Sequence, residues 1–151
     1  MMLFHHFFSV VAFVATSLIA PSQIGSPLQL PPAVESPNPD SLIFVQKQRL
    51  IKTTQPIAER AVVLARSFLG TPYVKGVLDR PAREQLVINL RALDCWTLVE
   101  YCTAIALTGP DGSFATYQKH IQDLRYWGGT ISGYGSRLHY FTAWILQAEK
   151  K

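Results

Sequence analysis

Charge is scarce in this chain and absent from its start. Only 16% of the 151 residues are Asp, Glu, Lys or Arg, none of them lies between Met1 and Val34, and the net charge is +4. No run of five or six basic residues occurs, so nucleic-acid binding has no support. Long apolar runs are missing too. The most compact, residues 7–20, falls short of the roughly 20 residues a membrane span needs, and fits the hydrophobic part of an export leader. Cysteine is limited to two residues and they do not form a C-x-x-C pair, which argues against a thiol-redox couple. The sequence shows no metal-ligand cluster, phosphate loop, nucleotide motif or internal repeat, so no cofactor or metal is expected.

What is present falls into three parts. Residues 1–20 read as a signal peptide or N-terminal anchor, residues 21–40 as a Pro/Ser-rich linker, and residues 41–151 as one small domain. A charge-free apolar leader ahead of such a spacer implies export to the periplasm or cell envelope. Contact with a membrane is expected only if the leader stays uncleaved.

The domain is organised around Leu93-Asp94-Cys95-Trp96-Thr97-Leu98-Val99-Glu100. Apolar residues from Trp96 to Ala106 recur at three- and four-residue spacings with few charges between them, the pattern of a helix enclosed by core. Asp94 stands at the N-cap position, and Cys95 would sit at the positive end of the helix dipole, which favours thiolate. A buried free cysteine is equally compatible with that position. On one helix Cys95 and Cys102 lie about 10 Å apart along the axis, beyond the reach of a disulfide. Cys102 reads as packing.

Around this helix, residues 41–52 suggest an amphipathic helix. Pro56 opens a second, with Thr54 or Gln55 to cap it, a buried face of Ala61, Val62, Leu64, Ala65, Phe68 and Leu69, and Gly70 to close it. Residues 75–83 read as loop and 85–91 as a strand. Ser113 caps a helix over 114–125, residues 126–137 form a glycine-rich loop, and 138–147 return to helix with Phe141, Trp144 and Ile145 inward.

Three ordered motifs carry a resemblance: Gly70-Thr71-Pro72-Tyr73-Val74-Lys75-Gly76-Val77-Leu78-Asp79, Leu86-Val87-Ile88-Asn89-Leu90-Arg91-Ala92-Leu93-Asp94-Cys95-Trp96, and Gly133-Tyr134-Gly135-Ser136-Arg137-Leu138-His139-Tyr140-Phe141. Together they resemble the N-acetylmuramoyl-L-alanine amidase-like family (DUF1460), within the papain-like cell-wall cysteine hydrolases of the NlpC type. The likeness runs from about residue 56 to 145. It implies an α+β fold, here mostly its helical half with one or two strands and without the β-rich C-terminal half. It also implies a cysteine hydrolase that cleaves the N-acetylmuramoyl-L-alanine amide of peptidoglycan fragments. Cys95 matches the nucleophile. Tyr73, Asp94, Ser136, Arg137 and His139 match the substrate side of the cleft.

In that family the histidine base lies downstream of the cysteine, in the β-rich half. The domain is therefore expected to be truncated and inactive or impaired. His139 is the best-placed substitute base, although a structural or substrate-contacting role suits it better. For Arg137, a clamp on a muropeptide carboxylate and a surface charge are evenly matched. The alternative to catalysis is a cell-envelope module that binds muropeptides without chemistry.

Overall fold

The computed structural model describes residues 38–149, so the expected leader and all but the last residues of the expected linker lie outside the described residues. Five helices order this part of the chain: α1 (Pro39–Gln48), α2 (Ile57–Ser67), α3 (Cys95–Thr108), α4 (Phe114–Arg125) and α5 (Phe141–Ala148). Helix α3 is apolar nearly all round and is the axis of the core. Tyr101, Cys102, Ala104, Ile105 and Ala106 are buried, with α2 and α4 packed against it and α1 touching both α3 and α4. Gln48, at the end of α1, donates from its side-chain amide to the carbonyls of Gly109 (2.7 Å) and Gly112 (2.8 Å), which ties the α3–α4 turn to α1.

Helix α1 begins earlier than its apolar spacing suggests, at Pro39. Asn38 accepts the Asp40 N–H at 2.9 Å and Pro39 takes the first helical position, where its missing N–H costs nothing. In α2, Pro56 is itself the cap residue, and neither Thr54 nor Gln55 caps the helix. The Gln55 side chain instead accepts the Lys52 N–H. Leu64 and Phe68 reach the core, but Val62 and Leu69 are exposed, so the buried face of α2 is narrower than expected. Gly70 follows it with φ +84°, the left-handed conformation open to glycine.

The expected strand does not form. Among the described residues there is no strand, only isolated bridges pairing Tyr73 with Leu93 and Tyr126 with Arg137. The described part is thus mostly helical, and the one or two strands expected of an α+β fold are not found there. The run at 85–91 has no regular secondary structure and ends in a turn, and its backbone is satisfied by side chains. Asp40 accepts the Leu90 N–H (2.9 Å), Tyr101 Oη the Asn89 N–H (3.0 Å), Arg125 donates to the Val87 carbonyl and Tyr126 to that of Gln85. Buried backbone groups need partners, and polar side chains on four helix-borne or loop positions supply what a neighbouring strand would have given.

Helix α5 also departs from expectation. Phe141 and Ile145 are exposed, and the residue buried from this helix is Gln147. Its side-chain oxygen accepts the Gly128 N–H at 2.9 Å and its nitrogen donates to the carbonyls of Asp123 (2.8 Å) and Tyr126 (2.9 Å). These three bonds fix the rotation of α5, and the apolar side of the helix consequently faces outward.

Residues 75–83, read as loop, include a 3₁₀ turn at Val77–Asp79. The glycine-rich segment 126–137 carries two more.

Candidate active site

Cys95 is the first residue of α3 and is exposed, whereas Cys102, two turns on, is buried. Burial pushes the Cys102 thiol up to about 12, with Lys47 opposing the rise. Cys102 is therefore a packing residue, as its place in the sequence suggests.

The turn into α3 is built as expected. The Asp94 carboxylate accepts the Thr97 N–H at 2.8 Å, while the Thr97 hydroxyl accepts the Asp94 N–H at 2.9 Å and donates to the same carboxylate at 2.8 Å. This reciprocal capping box satisfies donors that a helix end leaves open. The Asp94→Ala variant is expected to lose about 0.5–2 kcal/mol of stability. Asp94→Asn should retain most of it, as urea unfolding curves would show.

Tyr73 is brought beside this turn by backbone pairing: Val74 donates to the Leu93 carbonyl (2.8 Å) and Leu93 to that of Pro72 (3.0 Å). The Tyr73 ring is exposed, and with Gly70, Leu93, Asp94, Cys95 and Leu98 it lines an open cavity of about 360 Å³. On its other side Cys95 borders a smaller cavity of about 170 Å³, walled by Trp96, Val99, Glu100, Phe141 and Trp144. The thiol therefore stands between two recesses.

Ser136, Arg137 and His139 do not join it there. The Ser136 hydroxyl closes its own loop, donating to the Gly133 carbonyl (2.6 Å) and accepting the Ser132 N–H (3.1 Å). Arg137 is buried, paired with Asp79 at 2.8 Å and Glu84 at 3.4 Å, and lies over the Tyr134 ring. Its charge is already spent inside the protein, so neither the carboxylate clamp nor the surface charge expected from sequence describes its surroundings. His139 holds the Tyr134 carbonyl through Nε2 at 3.0 Å and packs on the Tyr134 ring at 4.4 Å between centroids. It opens on a third recess, shared with Asp94 and Trp96, rather than on the two that Cys95 lines.

Beneath the site lies a buried ion pair that spacing does not reveal. Arg125 donates to Glu100 Oε2 from Nε (2.9 Å) and Nη2 (2.7 Å), with both side chains 1% exposed. A lone carboxylate within the apolar α3 stretch was its only sequence signal.

The described part thus places an exposed thiol at the head of a buried central helix, with a recess on either side. Two crystal structures of an N-acetylmuramoyl-L-alanine amidase from Bacteroides uniformis superpose with TM-scores of 0.59 and 0.60 at 38% and 37% identity, each alignment covering 62% of this chain and 40% of theirs. A provisionally assigned xylanase from Bacteroides fragilis is similar as well, at 39% identity and TM-score 0.55, over 57% of this chain and 38% of that one. No curated protein matches. The chain belongs to the AmiA-like, N-acetylmuramoyl-L-alanine amidase-like family, which it matches over residues 63–151. It spans about two fifths of the length of the solved structures it resembles.

Proposed function

We propose that this chain is the cysteine-bearing part of an exported, papain-like NlpC-type amidase that acts on peptidoglycan fragments. Residues 1–20 serve as leader or anchor, 21–40 as linker, and 41–151 as the helical half of the catalytic domain. The observation that carries this reading is the exposed Cys95 at the first position of α3, flanked by two cavities.

In the reaction the Cys95 thiolate attacks the carbonyl carbon of the muramoyl-alanine amide. A C–S bond forms, and the carbonyl electrons move to oxygen. Helix geometry leaves the first N–H groups of α3 without intrahelical partners, and Asp94 takes those of Thr97 and Leu98, so those of Cys95 and Trp96 are available to the oxyanion. Collapse breaks the C–N bond as the alanine nitrogen takes up a proton from solvent and leaves as the amine, and water then adds to the thioester, breaking the C–S bond to release the muramoyl carboxylate and return the Cys95 sulfur. Tyr73 and Asp94 border the cleft, while Arg137, held by Asp79 and Glu84, positions the loop that carries His139.

The commitment of His139 to Tyr134 favours a base other than His139. It equally supports a second reading, a muropeptide-binding module without chemistry.

Mass spectrometry of muropeptides incubated with the full chain separates the two. The amidase reading expects release of L-alanyl peptides that is abolished in Cys95→Ala with binding retained. Binding without any Cys95-dependent release assigns the chain to the second reading. Absence of both binding and release overturns the two together.

A further inference from the structure

The third recess holds about 160 Å³, and its wall is more polar than apolar, with Asp79, Asp94, Trp96, Tyr134, Arg137 and His139 among the lining residues. Asp94 and Trp96 are the chain neighbours of Cys95, so the recess adjoins the nucleophile. Asp94 commits Oδ1 to Thr97 and Asp79 commits Oδ1 to Arg137, which leaves each with an Oδ2 that no described group uses. A Cβ on Gly76, which also lines the recess, would lie 3.6 Å from Asp79 Oδ2, so that oxygen is on this side. His139 meets a carbonyl through Nε2. That nitrogen therefore carries the proton, and Nδ1 of the neutral ring is an acceptor without a partner among the described residues. Arg137 spends Nη2 on Asp79 and Glu84, while its Nη1 donates to no described group. The recess thus combines three spare acceptors, one spare donor and the aromatic surface of Trp96 and Tyr134.

A neutral ligand with several hydroxyls on a rigid frame matches this set. A cation would leave the guanidinium unanswered and an anion would face two carboxylates, whereas every hydroxyl both donates and accepts. The C–H edges of such a frame suit the negative faces of aromatic rings. We propose that the third recess is a subsite for a pyranose ring. Resting on the muropeptide reading above, the ring is that of muramic acid. Its hydroxyls donate to the free oxygens of Asp79 and Asp94 and to His139 Nδ1, and accept from Arg137 Nη1. The short lactyl arm then carries the scissile carbonyl past Asp94 to the Cys95 thiol. Asp79, which the resemblance did not single out, becomes a substrate-binding residue. The wider cavity by Tyr73 shares Asp94 with the recess and is left for the peptide.

The test compares a muramoyl dipeptide with its borohydride-reduced form, in which the ring is opened to an alditol while the peptide, lactyl and acetamido groups stay the same. Both are titrated calorimetrically into the full chain carrying Cys95→Ala, so that neither ligand is consumed. The closed ring is expected to bind at least about tenfold more tightly, the size of one or two well-placed hydrogen bonds. Adding Asp79→Ala and His139→Phe should bring the two ligands within about twofold. Both positions are exposed, Arg137 keeps Glu84, and the phenyl ring can still pack on Tyr134. Saturation-transfer NMR supplies a readout that needs no change in the recess: saturation of aromatic protein protons should reach the ring C–H groups of the bound dipeptide. Equal affinity for the two ligands, a preference that survives both substitutions, or transfer confined to the peptide overturns the subsite while leaving the muropeptide reading intact. Binding of neither ligand overturns both.

Discussion

Arg125→Ala is expected to cost the fold about 3–5 kcal/mol, because it strands the Glu100 carboxylate in the core without its counter-charge. Both partners are 1% exposed, and the guanidinium also supports the Val87 carbonyl and lies against the Tyr101 ring. A domain of this size holds only about 5–15 kcal/mol in total, so a loss of this size puts a measurable fraction of the chain in the unfolded state at body temperature. Urea midpoints of the wild type, the single variant and the double variant Arg125→Met/Glu100→Leu decide the matter. Replacing a buried pair with apolar residues of similar size is often neutral or stabilising, so the double variant should recover most of the loss. A single variant within 1 kcal/mol of wild type would show that the pair is not enclosed as described.

Native-state alkylation should modify Cys95 alone, with a rate ratio over Cys102 of at least about 10³ at pH 8. A thiol with a pKa of about 12 holds only about one part in 10⁴ as thiolate at that pH, and Cys102 is in addition closed off from the reagent. The direction with pH follows: Cys102 gains reactivity only as the pH climbs toward 12. Because the unfolded thiol ionises near 8.5–9 and the folded one does not, stability present below that range is lost as pH rises through it toward 12. Mass spectrometry of the iodoacetamide-treated chain should show one adduct before urea and two after it. Comparable rates for both thiols in native conditions would contradict the burial of α3.

Which features were legible follows from how local their physics is. The Asp94 cap, the helix from Cys95, the Ser113 cap of α4 and the left-handed Gly70 depend on neighbours within a few residues, and all four are found. The buried Cys102 follows from the same periodicity, whereas the exposure of Cys95, for which position left both readings open, is shown by the structure. Residues 85–91 and α5 were misjudged because their conformations are settled by distant groups. Asp40, Tyr101, Arg125 and Tyr126 satisfy the first segment's backbone, and Gln147 sets the rotation of the second.

The candidate site divides along the same line. Cys95, Asp94 and Tyr73 share one turn and its backbone bridge, so their proximity is nearly written into the motif order. The sequence alone determined the capped cysteine helix and the membership of three ordered motifs in one family. Only the tertiary structure decided that Arg137 is neutralised by Asp79 and Glu84, that His139 turns to Tyr134, and that Glu100 reaches Arg125. Spacing along a helix specifies which face a side chain occupies, but a charge finds its partner through space, and pairing across 25 or 58 residues is set by how the helices pack.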